Sequence, residues 1–326
     1  MMFEHLSINE KRVFPTFVVS TVSSGKSTLI NALMAKKLMP SRNTATTARA
    51  LAILDNDKAD GFVAHTVGVD GKHARLKDVD LKTVTEYNEE SSISEMIIEG
   101  QIKGIKNSKR SLLIVDTPGV NNCMDKSHGD TTKKIIDTAS EGLILYVFNV
   151  QQLGTNDDAS FLSWVSEKLR ERPGLSIIFA VNKMDCLDTE KEPFEEVLEY
   201  VKNYVKGFGI EDAPIIPVSA YYAYLFKKLL KGETLSEFEE ERFPCGYFCF
   251  GGDARLPLGS YAAAAGKDMT CVCGGREYTA QSLYTALYNT GFPALENAIE
   301  SVLISSAKAT SPKISFRSNK KGDRRK

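Results

Sequence analysis

The stretch STVSSGKST, Ser20 to Thr28, combines small hydroxyl residues, one glycine and one lysine. A phosphate-binding loop needs consecutive backbone N–H groups pointing inward, a helix N-terminus behind them and a lysine. Gly25 lets the backbone approach closely. Lys26 suits the β- and γ-phosphates of a nucleotide, and the Ser27 hydroxyl suits Mg2+. Ser23, Ser24 and Thr28 complete the loop. The pattern G-x-x-x-x-G-K-[ST] places its first glycine at Ser20. A serine there is expected to adopt the required turn at a cost of about 1 kcal/mol.

Three further stretches carry related chemistry. VDTPG, Val115 to Gly119, has the form D-x-x-G. Asp116 can hold Mg2+ through water, and the Gly119 N–H can contact a γ-phosphate and release it after hydrolysis. NKMD, Asn182 to Asp185, supplies a carboxylate at Asp185 that accepts two N–H bonds from a guanine edge and repels the ring-nitrogen acceptor of adenine. This favours GTP over ATP. The Lys183 stem can cover the base, and Asn182 can tie this loop to the phosphate loop. Ser219-Ala220 can offer a backbone N–H to the guanine carbonyl. Singly, these stretches also read as a serine-rich strand-to-helix turn, a Pro-Gly turn and a helix-capping aspartate. Their order is the stronger argument: phosphate loop, D-x-x-G, N-K-x-D and S-A follow one another along the chain.

The elements that must position them follow from periodicity. Val13–Val19, Leu112–Val115, Leu143–Val150, Ser176–Val181 and Ile215–Val218 are continuous apolar runs that read as buried strands. Ser27–Lys37 reads as a helix, as does the segment beginning at Thr155, where Asp158 gives a capping-box pattern. Phe194–Val205 carries a further helical stripe, and two helices close the chain near 279–288 and 293–307. Alternating apolar strands and helices predict an α/β fold with a mainly parallel central sheet, helices on both faces, and insertions, and the ordered motifs at the strand ends make the expected type that of a P-loop NTPase (GTPase). Ligands of such sheets bind outside the carboxyl ends of the strands. Every motif above follows such an end.

In this arrangement the residues resemble the G domain of a dynamin-like GTPase of the bacterial kind. The likeness rests on SSGKSTLINAL (Ser23–Leu33), LMPSRNTATTA (Leu38–Ala48), VDTPGVNN (Val115–Asn122), NKMD, and TGFPALENAI (Thr290–Ile299). The resemblance implies that Thr47, with Thr46 as second choice, is the switch threonine on Mg2+. It implies GTP hydrolysis in which Ser23, Lys26, Thr47 and the Gly119 N–H act on the transferred phosphoryl group, with Ser27, Thr47 and Asp116 holding Mg2+. It further implies a homodimer whose G domains meet across their nucleotides, and membrane remodelling through a helical region. Val22 stands where the family places a loop glutamine, and Val120 where Ras-like switches place theirs. The chain stops near the end of the G domain, so a fragment, an isolated domain or a truncated relative is expected.

The expected organisation is a G domain over 1–309, with insertions at about 55–110 and 244–276, and a basic, disordered tail over 310–326. The formal net charge is −1, which predicts no nucleic-acid partner. Six cysteines in 326 residues suit a reducing cytoplasm, with peripheral membrane association a further expectation. Cys245, Cys249, Cys271 and Cys273 have poor zinc spacing and read as buried or idle thiols. Two other readings compete with the leading one: a GTP-binding switch with little turnover, and an Era-like, RNA- or ribosome-associated GTPase.

Overall fold

The computed structural model describes residues 12–21, 23–40, 51–107, 109–117, 127–252, 254–259 and 269–306, with side chains described for all of these except 127–130. The expected tail lies outside these residues.

The chain begins its core with β1 (Val13–Ser20), which runs directly into the phosphate loop and then α1 (Lys26–Met34). The parallel half of the sheet continues with β6 (Ser111–Asp116), β7 (Gly142–Asn149), β8 (Leu175–Asn182) and β9 (Ile215–Pro217). β7 and β8 are buried at every position. Side chains alternate between the two faces of a strand, so both faces must be covered, and that is why these strands read as unbroken apolar runs. The helices packed on these strands include α1, α4 (Asn156–Glu171), α5 (Phe194–Gly207) and α9 (Phe292–Ser306), while α6 (Ala220–Leu230) packs on α1, and α8 (Ala280–Asn289) on α6.

The stretch between α1 and β6 extends this sheet. β2 (Leu51–Asp55) lies antiparallel to β6 and parallel to β5 (Ile93–Gly100). β3 (Val63–Gly68) pairs antiparallel with β5 and with the edge strand β4 (His73–Leu76), and α2 (Leu81–Glu89) links β4 to β5. Among the described residues the sheet has nine strands in the order β4-β3-β5-β2-β6-β1-β7-β8-β9. It is mainly parallel, with reversals confined to the β2–β5 half.

Local chemistry fixes the element ends. Thr155 caps α4 by accepting the Asp158 N–H, while the buried Asp158 carboxylate turns inward and accepts the Tyr146 hydroxyl. Burial raises the Asp158 pKa above the ordinary carboxylate value. At the carboxyl end of α1, Ala35 takes a left-handed conformation, and Lys227 of α6 and its C-cap Lys231 donate to the terminal carbonyls: Lys227 to Ala32 at 3.0 Å, and Lys231 to Met34 at 3.2 Å and Ala35 at 3.0 Å. Cations belong at that end of a helix dipole. Lys227 also pairs with Glu296 of α9. The buried Asn31 side chain anchors the backbone just past α1, accepting the Leu38 and Met39 N–H groups and donating to the Met39 carbonyl.

The Gly-, Ala- and Cys-rich region departs from simple periodicity for a visible reason. α7 (Glu237–Phe250) starts on a Ser236–Glu239 capping box and contains Pro244, and its second half mixes aromatic and cysteine residues. β10 (Thr270–Cys273) and β11 (Arg276–Thr279) form a separate hairpin turning at Gly274 and Gly275, whose φ angles of 55° and 72° are those a tight two-residue turn needs. Tyr222 and Tyr224 of α6 are buried in the core. Among the described residues no three potential ligand side chains group to hold a metal, and no helix is long and apolar enough to cross a membrane.

Candidate nucleotide site

Parallel pairing of β6, β1, β7, β8 and β9 brings their carboxyl ends to one edge of the sheet. Ser20 is the last residue of β1, buried and paired with Val147 of β7. It is extended, so the turn expected there falls later. Among the described residues of the loop, the left-handed ones are Ser23, at φ 62°, and Gly25, at φ 83°. The absent first glycine therefore has no conformational cost at Ser20; the strain sits at Ser23, where a left-handed serine costs about 1 kcal/mol. The loop closes on itself as Ser24 donates its hydroxyl to the Thr21 carbonyl at 2.9 Å.

Gly25 is the N-cap of α1, and among the described residues no side chain caps the first turn of that helix. No acidic side chain lies in that turn either. The N–H groups of Lys26, Ser27 and Thr28 thus sit at an open positive helix end, the standard receptor for phosphate oxygens. A β-carbon at Gly25 would stand 2.5 Å from the Asn182 side-chain nitrogen, so glycine is required both by conformation and by space. Lys26 donates to Asp116 at the end of β6, with both side chains mostly shielded from solvent. Next to Asp116, the buried Thr117 hydroxyl donates to the Val18 carbonyl at 2.8 Å and ties the start of the D-x-x-G segment to β1.

The base-side residues are built from β8 and β9. Asn182, buried at the end of β8, donates to the Ser24 carbonyl at 2.9 Å and accepts the Ala220 N–H at 3.1 Å. One side chain thereby joins three of the sequence motifs. Lys183 takes a left-handed conformation at φ 65°, and its stem lies against the Gly25 turn. The Ser219 hydroxyl donates to one Asp185 oxygen at 2.5 Å. The Cys186 thiol donates to the other at 3.5 Å. Burial, and then the Asp185 carboxylate, push the Cys186 pKa up to about 11, so it remains a protonated donor at neutral pH.

Ser23, Ser24, Gly25, Lys26, Ser27, Thr28, Asp116, Asn182, Lys183, Asp185, Ser219 and Ala220 thus all lie along this edge. Val22, Thr46, Thr47 and Gly119 lie outside the described residues. Ser27 and Asp116 offer hard oxygen donors, the donor chemistry that suits Mg2+. Sequence reasoning does not single out Thr117, Cys186 or Asn149. Asn149 ends β7 and donates to the Ser23 carbonyl at 3.4 Å.

A family model described as "Dynamin family" matches residues 17–184, slightly more than half of the chain. The chain belongs to the dynamin family. The match begins inside β1 and ends within NKMD, so it takes in both the phosphate loop and Asn182. Among curated relatives, an uncharacterized protein in the xynA 3' region of Caldicellulosiruptor sp. (strain Rt8B.4) is 27% identical over 70% of this chain and 54% of its own length. Elongation factor 1-alpha of Thermococcus onnurineus (strain NA1) is 31% identical over 34% of this chain and 24% of its own. The chain therefore spans about half, or less, of these curated relatives. A solved oligomerised bacterial dynamin pair, presented as a mechanism for long-range sensing and tethering of membranes, aligns at 20% identity with a TM-score of 0.48, over 74% of this chain and 39% of that chain.

Proposed function

We propose that this dynamin-family chain binds GTP with Mg2+ and hydrolyses it to GDP and phosphate. The observation that carries the reading is the double role of Asn182, which donates to the phosphate loop at Ser24 and accepts from Ala220 beside Asp185. That bond pattern couples a base-recognition corner to a phosphate corner at a fixed spacing. Asp185, oriented by Ser219, takes the N–H groups of guanine. The open first turn of α1 takes the phosphate oxygens, and Lys26 exchanges Asp116 for the β- and γ-phosphates. Ser27, Thr47 and, through water, Asp116 would hold Mg2+, which would supply charge neutralisation to the phosphates when bound. Ser23, Lys26, Thr47 and the Gly119 N–H act on the charge that develops on the transferred group.

The family supports a homodimer formed through the nucleotide face, which completes the site, and membrane lipid as a partner of regions beyond this G domain. The proposed domain spans 1–309 with insertions near 55–110 and 244–276 and a basic tail over 310–326. Cytoplasmic placement, peripheral at a membrane, belongs to the same reading.

The test is GTP hydrolysis per molecule across a wide range of protein concentration, with ATP in parallel. A specific rate that climbs with concentration for GTP alone is expected. Tight GTP binding with no phosphate release would instead identify a nucleotide switch. Asp185→Asn is expected to cut the preference for GTP over ATP about tenfold or more, because the guanine N–H groups lose a charged acceptor. An unchanged preference would remove NKMD from the site.

A further inference from the structure

Asn149 ends β7 as Asn182 ends β8, and the two are register partners in the parallel pairing. Both are buried, with exposures of 3% and 2%. Each donates its side-chain amide to a carbonyl of the phosphate loop, Asn182 to Ser24 and Asn149 to Ser23, at 2.9 Å and 3.4 Å. The two carbonyls are consecutive. With these carbonyls held back toward the sheet, the N–H groups of the same trans peptides, those of Ser24 and Gly25, are turned the opposite way, toward the side where a phosphate would lie.

The Asn149 amide has a fixed orientation. Its Oδ1 accepts the Gln151 N–H at 3.1 Å, and its Nδ2 also reaches the Gln152 side-chain oxygen at 3.4 Å. The residue it holds is the strained one. Ser23 is left-handed at φ 62°, exposed, and without the conformational freedom of glycine. Such a conformation persists where surrounding bonds impose it.

We infer that Asn149 is a positioning residue for GTP hydrolysis, fixing Ser23 in its left-handed conformation from the end of β7. This rests on the reading of the site as a GTPase. It also divides labour between the two asparagines. Asn182 joins the phosphate loop to the base corner and so acts on nucleotide affinity. Among the described residues the side-chain hydrogen bonds of Asn149 run to Ser23, Gln151 and Gln152, not to Asp185, Ser219 or Lys26, and it acts through Ser23 on the step at the γ-phosphate.

The experiment compares Asn149→Ala, Asn149→Asp and Asn182→Ala with wild type. It measures GDP and GTP affinity with a fluorescent nucleotide, kcat and KM for GTP, and thermal unfolding without nucleotide. Asn149→Asp keeps the acceptor for the Gln151 N–H and loses the donor to Ser23, so it carries the test if the alanine variant does not fold. Both Asn149 variants are expected to lose about tenfold or more in kcat, with GDP affinity within about threefold of wild type and little change in unfolding temperature. Asn182→Ala is expected to lose nucleotide affinity instead. Wild-type kcat in a folded Asn149 variant overturns the proposal alone. So does a loss of kcat matched by an equal loss of GDP affinity and of unfolding temperature, which marks a structural role. A wild-type chain that binds no guanine nucleotide overturns the reading of the site, and the proposal with it. If wild type binds GTP without turnover, the hydrolytic reading fails separately. Asn149 is then judged on the affinity of a non-hydrolysable GTP analogue relative to GDP, which must fall in Asn149→Ala.

Discussion

β2 and β6 lie side by side and end on nearly the same string, LAILD and LLIVD. Their last residues, Asp55 and Asp116, have opposite fates. Because the strands are antiparallel, Asp116 stands opposite Leu51 and the two aspartates lie at opposite edges of the sheet. Asp116 reaches the edge where α1 opens, and pairs with Lys26. Asp55 reaches the far edge and is fully buried. One of its oxygens accepts the Ile102 N–H at 2.8 Å, and the other has no hydrogen-bond partner among the described residues. Burial, with the Asp57 carboxylate adding to it, raises its pKa to about 7. Strand direction alone therefore sends one strand-end aspartate to the proposed nucleotide edge and the other into the core.

The largest expected effect tests the site edge. Lys26→Ala should lower GTP and GDP affinity by more than about a thousandfold, roughly 4–5 kcal/mol, since the phosphates lose a shielded cationic partner. Retained affinity, measured by equilibrium binding, would detach this edge from nucleotide altogether.

Next comes the far edge. The folded chain keeps the Asp55 proton up to about pH 7, whereas an unfolded aspartate releases it near its ordinary value. The folded state thus binds more protons across that interval, and stability must fall as pH rises from about 4 to 7, by at most roughly 4 kcal/mol. Asp55→Asn should flatten this slope in denaturant titrations and leave nucleotide affinity untouched. An unchanged slope would mean that the buried carboxyl is not the group responsible.

A smaller effect sharpens the contrast. Asp116→Asn removes the charge that Lys26 meets in the nucleotide-free chain and that Mg2+ water would meet in the complex. It should cost about a hundredfold in Mg2+-stimulated turnover while sparing Mg2+-free GDP binding. Equal losses of both would assign Asp116 a purely structural role like that of its neighbour.

The same contrast explains what can be read from the sequence. The parallel half is legible because its strands are buried on both faces and announce themselves as apolar runs; VFPTFVV, LILYVFNV and SIIFAV match β1, β7 and β8 to within a residue or so at each end. The motifs are legible because each follows such a run directly. β2 escapes recognition, and Asp55 reads merely as the start of an insertion, since residue period carries no information on strand direction. Asn149 escapes for a related reason: its importance depends on standing level with Asn182, and register is a long-range property. Ser20 misleads because the pattern marks a glycine position without saying where the backbone turns. The turn is at Ser23 and Gly25.

Helix α1 is secured at one end and open at the other. Lys227 and Lys231 hold its last carbonyls against α6, and among the described residues no side chain caps its start at Gly25. Amide hydrogen exchange should register that asymmetry as a change confined to one turn. Without nucleotide, the first-turn amides of Lys26, Ser27 and Thr28 exchange with solvent at rates set by the loop. With nucleotide, those three amides slow while the last turn, already clamped, keeps its rate. The helix then reports occupancy at its entrance without moving its far end, so a signal to the rest of the molecule must leave through the loops around the phosphates and not along the helix axis.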